Sequence, residues 1–158
     1  MIETGYLSFL PFLAACFCAA LSGALFRPGQ WYEKLAKPSW RPPNWLFPPA
    51  WTVLYFCMAT AAWLVWQTGD ARSTVALAVF GVQLVVNAGW SAVFFGLRRV
   101  DWAFAELILL WLSIAATIAV FAPISTGAAL LLAPYLAWVT FAGALNLSIW
   151  QLNRRTTH

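Results

Sequence analysis

Four long stretches of this sequence carry no charged side chain, and they restrict the chain to folds that can hold very long apolar segments. The stretches cover residues 4–26, 42–69, 73–97 and 107–153. Charged residues make up only 9% of the chain and hydrophobic residues 63%, whereas a soluble domain is about 25% charged. So few charges cannot cover a water-soluble globule, and so many large apolar side chains exclude a disordered chain. The sequence therefore predicts an integral membrane protein with a single domain.

The uncharged stretches divide into segments of the length that crosses a bilayer, which is about 20 residues for a helix. The first three stretches hold one helix each, at about residues 7–26, 46–67 and 74–97. The last stretch holds two, at about 102–121 and 127–150, separated by a break around Pro123. Continuous apolar runs differ from the short alternating segments of a membrane barrel. We thus predict an all-α integral membrane protein: a bundle of five transmembrane helices over residues 1–158, with a Pro- and Trp-rich first loop at 27–45 and a tail at 151–158.

Two acidic residues lie near the start of the fourth predicted helix. Asp101 comes directly before the apolar run, where a carboxylate can accept the free amide protons of the first turn. Glu106 follows about one turn later and is the one charged residue inside a predicted helix. We expect Asp101 to cap the helix and Glu106 to have a solvated or capping role near the interface.

The positions of the basic residues predict how the chain is oriented in the membrane. Only Arg72 lies on the side that carries the amino terminus and the second-to-third and fourth-to-fifth loops. The other eight lie on the opposite side: Arg27, Lys34, Lys37, Arg41, Arg98, Arg99, Arg154 and Arg155. Loops rich in Lys and Arg stay in the cytoplasm. We therefore expect a multi-pass protein with its amino terminus outside and its carboxyl terminus and first loop in the cytoplasm.

The first predicted helix carries small residues at four-residue spacing, at Ala15, Ala19 and Gly23. Such a ridge allows two helices to approach closely in lipid. It would serve either packing within the bundle or a dimer interface, and we favour packing. No basic residue precedes this helix at residues 1–4, so we interpret it as a retained helix and not as a signal peptide.

Residues 31–55 concentrate prolines and aromatic side chains, with five of the nine prolines and four of the eleven tryptophans. Prolines at this density prevent a regular helix and fix an extended or turned path. One interpretation is an interfacial belt of tryptophans at the headgroup level. The other is a rigid aromatic lid over a pocket, which continues into the second helix as Trp51 and Tyr55. We favour the lid, because a rigid lid loses little entropy when a ligand binds.

Polar and aromatic side chains also share faces on the third and fifth predicted helices. Asn87 and Trp90 lie on the third helix, and polar groups at membrane depth usually point into the protein or a cavity. On the fifth helix, Tyr135, Trp138 and Ala142 share a face that suggests a recess flanked by rings. Interhelical hydrogen bonding and ordinary core packing are the alternatives for these two rows.

The composition argues against a metal site or hydrolytic chemistry. The single histidine is His158 in the tail, and Glu106 is the one acidic residue within a span. These residues provide no metal-ligand set, no axial haem ligand and no nucleophile with its base. We expect no metal, no resident cofactor and no nucleic-acid partner.

The motif in the first loop closely resembles that of the tryptophan-rich sensory protein family, which includes the mitochondrial translocator protein, also called the peripheral benzodiazepine receptor. It reads Trp-Tyr-x-x-Leu-x-Lys-Pro-x-Trp-x-Pro-Pro-x-Trp-x-Phe-Pro-x-Ala-Trp-x-x-Leu-Tyr over residues 31–55. Asn87 with Trp90, and Tyr135 with Trp138, resemble the signatures of the family's third and fifth helices. The stretch at 145–154 lacks the tyrosine of the sterol-recognition pattern in the animal proteins. The resemblance is therefore to a bacterial-type member.

The resemblance implies a five-helix bundle, commonly a homodimer, with a ligand cavity closed by the first loop. Ligands of the family are porphyrins such as protoporphyrin IX and haem-like tetrapyrroles, cholesterol and other sterols in animal members, and benzodiazepine-type drugs. By this resemblance we expect the following ligand-binding residues: Tyr32, Trp51, Tyr55, Asn87, Trp90, Tyr135, Trp138 and Ala142. Lys37 and Arg41 are candidates to contact the propionates of a porphyrin.

Three functions are compatible with these residues. The leading hypothesis is a membrane receptor or sensor that binds a tetrapyrrole or a related hydrophobic small molecule. The second is an enzyme that degrades porphyrin in light, with Trp51 and Trp138 as the residues that carry the chemistry. The third is a tetrapyrrole or sterol transporter, which we disfavour because the sequence has no inverted repeat and no broken helix at mid-membrane.

Overall fold

A computed structural model of the chain describes residues 2–154, with side chains from residue 5 onward. Arg155 and His158, which entered the expectations on orientation and metal binding, lie outside the described residues. Five helical segments are long and apolar enough to cross a membrane: Gly5–Leu25, Asn44–Gln67, Ser73–Gly96, Val100–Phe121 and Thr126–Arg154. The all-helical fold with five membrane spans is thus confirmed.

Three of the spans contain a local break, and proline accounts for two of these breaks. The first consists of helices Ile2–Leu7 and Leu10–Leu25, and the second of these begins with a proline in its first turn. The third passes from the α-helix Ser73–Ser91 into a π-helical turn, Ala92–Gly96. The fifth consists of Thr126–Leu131 and Ala133–Arg154. Pro134 provides no amide proton at that junction, so the regular ladder cannot continue across it.

The first loop contains one short helix, Gln30–Lys34, within the segment where we expected no regular helix. This helix ends before Pro38, the first proline of the segment at 31–55. No proline therefore lies within the helix to interrupt its hydrogen bonds. The chain then runs without helix to a 3₁₀ turn at Asn44–Leu46. The second span continues from Phe47 with prolines in its first turn, as the missing amide protons allow.

The spans pack through small residues. Ala59, Ala61 and Ala62 of the second span have no exposed surface. The first span packs on the second and third, and the Ser22 hydroxyl donates to the Ala88 carbonyl. Ala19, from the predicted small-residue ridge, is buried in this contact. Of the ridge, only Ala19 therefore packs closely within the bundle, whereas Ala15 and Gly23 are exposed.

The loop between the second and third spans turns at Gly69, whose φ of 65° lies in the left-handed region. Here Arg72 forms an ion pair with Asp70 at 2.7 Å. The guanidinium of Arg72 holds the pKa of the Asp70 carboxyl at about 2 through its hydrogen bonds. Arg72 also donates to the Pro123 carbonyl at 3.3 Å. This contact ties the two loops on this side of the bundle together.

The expectation for Glu106 requires correction, and the one for Asp101 holds in part, because its carboxylate interacts with the Trp102 amide of the first turn without being the cap residue. Arg99 occupies the cap position, and Asp101 lies inside the first turn, where its carboxylate pairs with Arg99 at 2.7 Å. Glu106 is half-buried and faces the third span, with Oε1 at 3.1 Å from the place that a Cβ on Gly89 would occupy. Its Oε2 is buried and has no hydrogen-bond partner among the described residues. Glu106 thus lies between two spans and has no solvated or capping role.

Candidate functional site

A cavity of about 660 Å³ lies between the first loop and all five spans. Binding sites for small molecules usually have volumes of roughly 300–1,000 Å³. Seven of the eight residues that we expected at a site line this cavity: Tyr32, Trp51, Tyr55, Asn87, Trp90, Trp138 and Ala142. The structure therefore brings side chains from the loop and from three separate spans to one space.

The eighth residue, Tyr135, lies behind the cavity wall and is completely buried. The Asn87 amide Nδ2 donates to the Tyr135 hydroxyl at 2.5 Å, and this hydroxyl donates to Gln83 Oε1 at 3.0 Å. At the other end, the Tyr55 hydroxyl donates to Asn87 Oδ1 at 2.6 Å. Both suggestions for Asn87 therefore apply, since it lines the cavity and also bonds between helices. We call Tyr55, Asn87, Tyr135 and Gln83 the polar network.

Two tryptophans form the aromatic wall of the cavity. The rings of Trp51 and Trp138 are 6.4 Å apart between centroids and stand at 84° to each other. Trp51 also contacts Tyr55 at 5.6 Å and Tyr135 at 6.2 Å, while Phe47 contacts Trp138 at 5.7 Å. Edge-to-face arrangements at these distances are favourable for aromatic pairs. The wall is thus supported by rings on the second and fifth spans.

The indole of Trp138 differs from three other indoles on the spans. Its Nε1 is buried and has no hydrogen-bond partner among the described residues. In contrast, Trp63 donates to Ser8 at 2.9 Å, Trp90 to Asn146 at 3.3 Å and Trp111 to Thr140 at 2.9 Å. A buried donor without a partner costs free energy of about 1–3 kcal/mol. Trp138 therefore lines the cavity with its ring, while its N–H has almost no surface that a molecule in the cavity can reach.

The first loop is held over the cavity by Tyr32, which is buried. Its ring contacts Phe94 at 6.0 Å and Phe95 at 5.5 Å, at the end of the third span. By contrast, Trp40 and Trp45 in the same loop are 50% and 71% exposed. The two interpretations of this segment thus apply to different residues, because Tyr32 closes the cavity whereas Trp45 faces outward like a member of an interfacial belt.

The cationic residues of the loop do not lie where we expected an acidic ligand to contact them. Lys37 Nζ donates to the carbonyls of Glu33 and Leu35 at 3.2 and 3.0 Å and lies 4.6 Å from the Tyr32 ring centroid. Burial, and next the nearby charge of Arg41, lower the pKa of Lys37. Neither Lys37 nor Arg41 lines the cavity as the described residues define it, whereas Arg27 does.

Several residues that line the cavity are not among the eight that the sequence predicts. Phe94 and Phe95 lie in the π-helical turn, Asn146 follows Ala142 by one helical turn, and Arg27 follows the first span. The spacing of Asn146 from Trp138 and Ala142 placed it on the same face and could have added it to the list. No pattern in the sequence distinguishes Arg27 from the other basic residues at span ends.

Comparison with known proteins gives a consistent match across the spans and the first loop. A sequence model of the TspO/MBR family matches residues 12–151. The chain is 46% identical over 147 residues to the protein CrtK of Rhodobacter capsulatus, which covers 92% of both chains. It is 47% identical over 145 residues to the tryptophan-rich sensory protein of Cereibacter sphaeroides, covering 92% of this chain and 90% of the relative.

Similarity extends to animal proteins. The chain is 39% identical over 127 residues to the human translocator protein, which covers 78% of this chain and 75% of the human one. By its length alone, the matched region includes the second, third and fourth spans.

Proposed function

The chain belongs to the TspO/MBR family of membrane proteins, and from that premise we propose that it is a receptor that binds a tetrapyrrole in the cavity under the first loop. Protoporphyrin IX and haem-like rings are the ligands that we propose. The protein is an integral, multi-pass membrane protein with five spans. A ligand that partitions into lipid can therefore reach it from the bilayer as well as from water.

The observation that carries this proposal is that the rings of Trp51 and Trp138 meet on the wall of a cavity of about 660 Å³. Most of the lining is apolar, and Asn87 and Asn146 are among its few polar side chains. A ligand with a carbonyl, a carboxylate or a ring nitrogen would have polar groups of the lining to pair with. The cavity thus favours a molecule that is mostly apolar and carries a few polar atoms.

A flat ring system agrees with the side chains of the wall. Trp51 and Trp138 meet at 84°, so a planar ligand that stacks on one indole meets the edge of the other. Ala142 adds little volume beside Trp138 on the fifth span and leaves space for a ring. The polar network, to which Tyr55 and Asn87 belong, holds this wall in one arrangement.

Signalling by this receptor would pass through the first loop or through an oligomer. A ligand under the loop contacts Tyr32. Binding would shift the equilibrium between two arrangements of the loop by the difference between the ligand's affinities for them. A homodimer is part of the proposal, with the carboxyl terminus and the first loop on the cytoplasmic side. Gly81 on the third span has no neighbouring atom within 4 Å of a Cβ and would allow a second copy to approach closely.

Ligand binding to the purified protein in detergent tests this function. Protoporphyrin IX should quench tryptophan fluorescence with saturation, and Trp51→Ala and Trp138→Ala should each weaken its affinity by about tenfold or more. Trp102→Phe is the matched control, because Trp102 is exposed at the start of the fourth span. Equal affinity in all four proteins would contradict binding in this cavity.

A second function is favoured by the contact between Trp51 and Trp138. Two indoles with centroids 6.4 Å apart beside a bound porphyrin could support its oxidative breakdown in light. Dioxygen is then the oxidant: both of its atoms add across a methine C=C bond of the ring, which is cleaved to two carbonyls. The electrons come from the porphyrin itself, so no other reductant is needed.

Illumination of the porphyrin-loaded protein separates this reaction from binding alone. Degradation predicts that the porphyrin absorbance decays in light with dioxygen present and persists under argon or in the dark. Trp51→Phe and Trp138→Phe should slow the decay more than they lower the bound fraction. A decay equal to that of free porphyrin in the same detergent would leave receptor binding as the function.

A further inference from the structure

Arg27 is the one charged residue among the described residues that line the cavity. It lies two residues beyond the helix Leu10–Leu25, at the loop end of the first span. The rest of the lining is apolar apart from a few neutral groups such as Asn44, Asn87 and Asn146. A negatively charged group on a ligand in this cavity could therefore pair with only one cationic side chain of the lining, Arg27.

The guanidinium of Arg27 is only partly used by the protein. Its Nε donates to the Ala24 carbonyl at 3.0 Å, which fixes the base of the group against the helix end. The two ion pairs among the described residues are Arg72–Asp70 and Arg99–Asp101, so no described carboxylate neutralises Arg27. A guanidinium presents its remaining N–H groups as a planar fork that matches a carboxylate or a phosphate.

The surroundings of Arg27 leave the cavity open on one side. Gly23 and Ala24 of the first span are exposed and also line the cavity. Across from them, Pro48 and Thr52 of the second span are exposed and line it as well. The gap between these two spans therefore connects the cavity with the exterior, and Arg27 lies at its loop end. An arginine at a span end normally keeps its charge at the polar interface.

These placements suit a ligand whose polar group is at one edge. Its apolar body would lie between Trp51 and Trp138, and an acidic group would remain at the level of the interface beside Arg27. A charge held there keeps part of its hydration, whereas the same charge deep in the cavity would lose it at a high cost. The position of Arg27 at the rim avoids that cost.

We propose that Arg27 is the anion-binding residue of this cavity and that the ligand is an amphiphile with a carboxylate or phosphate group at its edge. This inference rests on the proposed function and names the ligand class and the residue that selects it. Arg27 is a binding residue here, with no part in any bond-breaking step. It takes the role for which Lys37 and Arg41 were the candidates from sequence.

Protoporphyrin IX and its dimethyl ester test the proposal, because the two differ only in whether the propionates carry charge. Affinities are measured in a neutral detergent without phospholipid. Arg27→Gln should weaken binding of the diacid by about five- to tenfold and leave the ester unchanged. Arg27→Lys should restore part of the loss, since it keeps the charge without the fork. Arg41→Gln, which removes a cation outside the lining, should change neither affinity.

The remaining outcomes each contradict the proposal in a distinguishable way. If Arg27→Gln lowers the affinities for the diacid and the ester equally, Arg27 supports the cavity by packing. An unchanged affinity for the diacid would mean that no anion contacts it. An effect that appears only after anionic phospholipid is added would assign Arg27 to lipid headgroups. Failure of the unmodified protein to bind either ligand would reject the proposed function, and this inference with it.

Discussion

The side-chain amide of Asn153 forms two hydrogen bonds with the backbone of Ala36, one with its N–H and one with its carbonyl. Ala36 N donates to Asn153 Oδ1 at 3.0 Å, and Asn153 Nδ2 donates to Ala36 O at 2.9 Å. This pair joins the first loop to the last turn of the fifth span across 117 residues of sequence. Asn153 also donates to the Ile149 carbonyl at 2.6 Å, which fixes its side chain against its own helix.

Removal of this pair should make the loop easier to open. Each hydrogen bond contributes about 0.5–1.5 kcal/mol net, and less where water competes for it. Asn153→Ala should therefore raise the association and dissociation rates of protoporphyrin IX several-fold, with little change in affinity. Stopped-flow fluorescence measures both rates. Gln151→Ala is the control on the same exposed turn, and unchanged rates in Asn153→Ala would mean that the ligand enters without opening the loop.

The ring of Trp138 should contribute to binding separately from its N–H. Trp138→Phe keeps an aromatic side chain on the wall and removes the unpartnered donor. Because Nε1 has almost no accessible surface, this variant should bind protoporphyrin IX with nearly unchanged affinity, whereas Trp138→Ala should bind about tenfold more weakly or worse. Isothermal titration in detergent measures both affinities. A Trp138→Phe variant that binds as weakly as Trp138→Ala would mean that the N–H contacts the ligand.

The polar network should stabilise the bundle. Tyr135→Phe leaves Asn87 Nδ2 and Gln83 Oε1 without their shared partner in a fully buried position. An unpaired buried group costs about 1–3 kcal/mol. We expect a melting temperature lower by several degrees in detergent, by fluorescence-detected thermal unfolding. Tyr6→Phe, at a side chain that is 70% exposed, should melt like the unmodified protein. A Tyr135→Phe variant that melts at the same temperature would contradict this role of the network.

The recess at Ala142 should limit the size of the ligand. Ala142→Leu adds volume to the cavity wall, and a rigid ring cannot move aside to accommodate it. Protoporphyrin IX should bind at least about tenfold more weakly, as equilibrium fluorescence quenching would show. Ala144→Leu makes the same change two residues away on an exposed surface outside this cavity and should leave affinity unchanged. Similar affinities in both variants would place the ring elsewhere.

Features that depend on neighbouring residues in the chain could be predicted from the sequence. The five spans follow from uncharged stretches, since hydropathy over about 20 residues does not depend on the tertiary fold. The same holds for Pro48 and Pro49, which fit the first turn of the second span. The shared face of Trp138 and Ala142 follows from helical spacing, and both residues line the cavity.

Features that depend on how each helix is rotated about its axis could not be predicted in this way. Helical spacing shows which residues share a face but not which neighbour that face meets. Tyr135 therefore turned out to lie behind the wall and Glu106 against Gly89. The contact of Asn153 with Ala36 joins two segments with no shared local pattern, so only the packed bundle reveals it.

The placement of the basic residues predicts how the chain is oriented in the membrane. Lys34, Lys37 and Arg41 belong to the first loop and Arg154 to the end of the fifth span, whereas Arg72 lies on the other side of the bundle. Basic loops remain in the cytoplasm during insertion. A green fluorescent protein fused after His158 should thus fluoresce, and alkaline phosphatase at the same site should be inactive. Fusion of the two reporters at Asp70 should give the reverse result. The same result at both sites would contradict the presence of three spans between them.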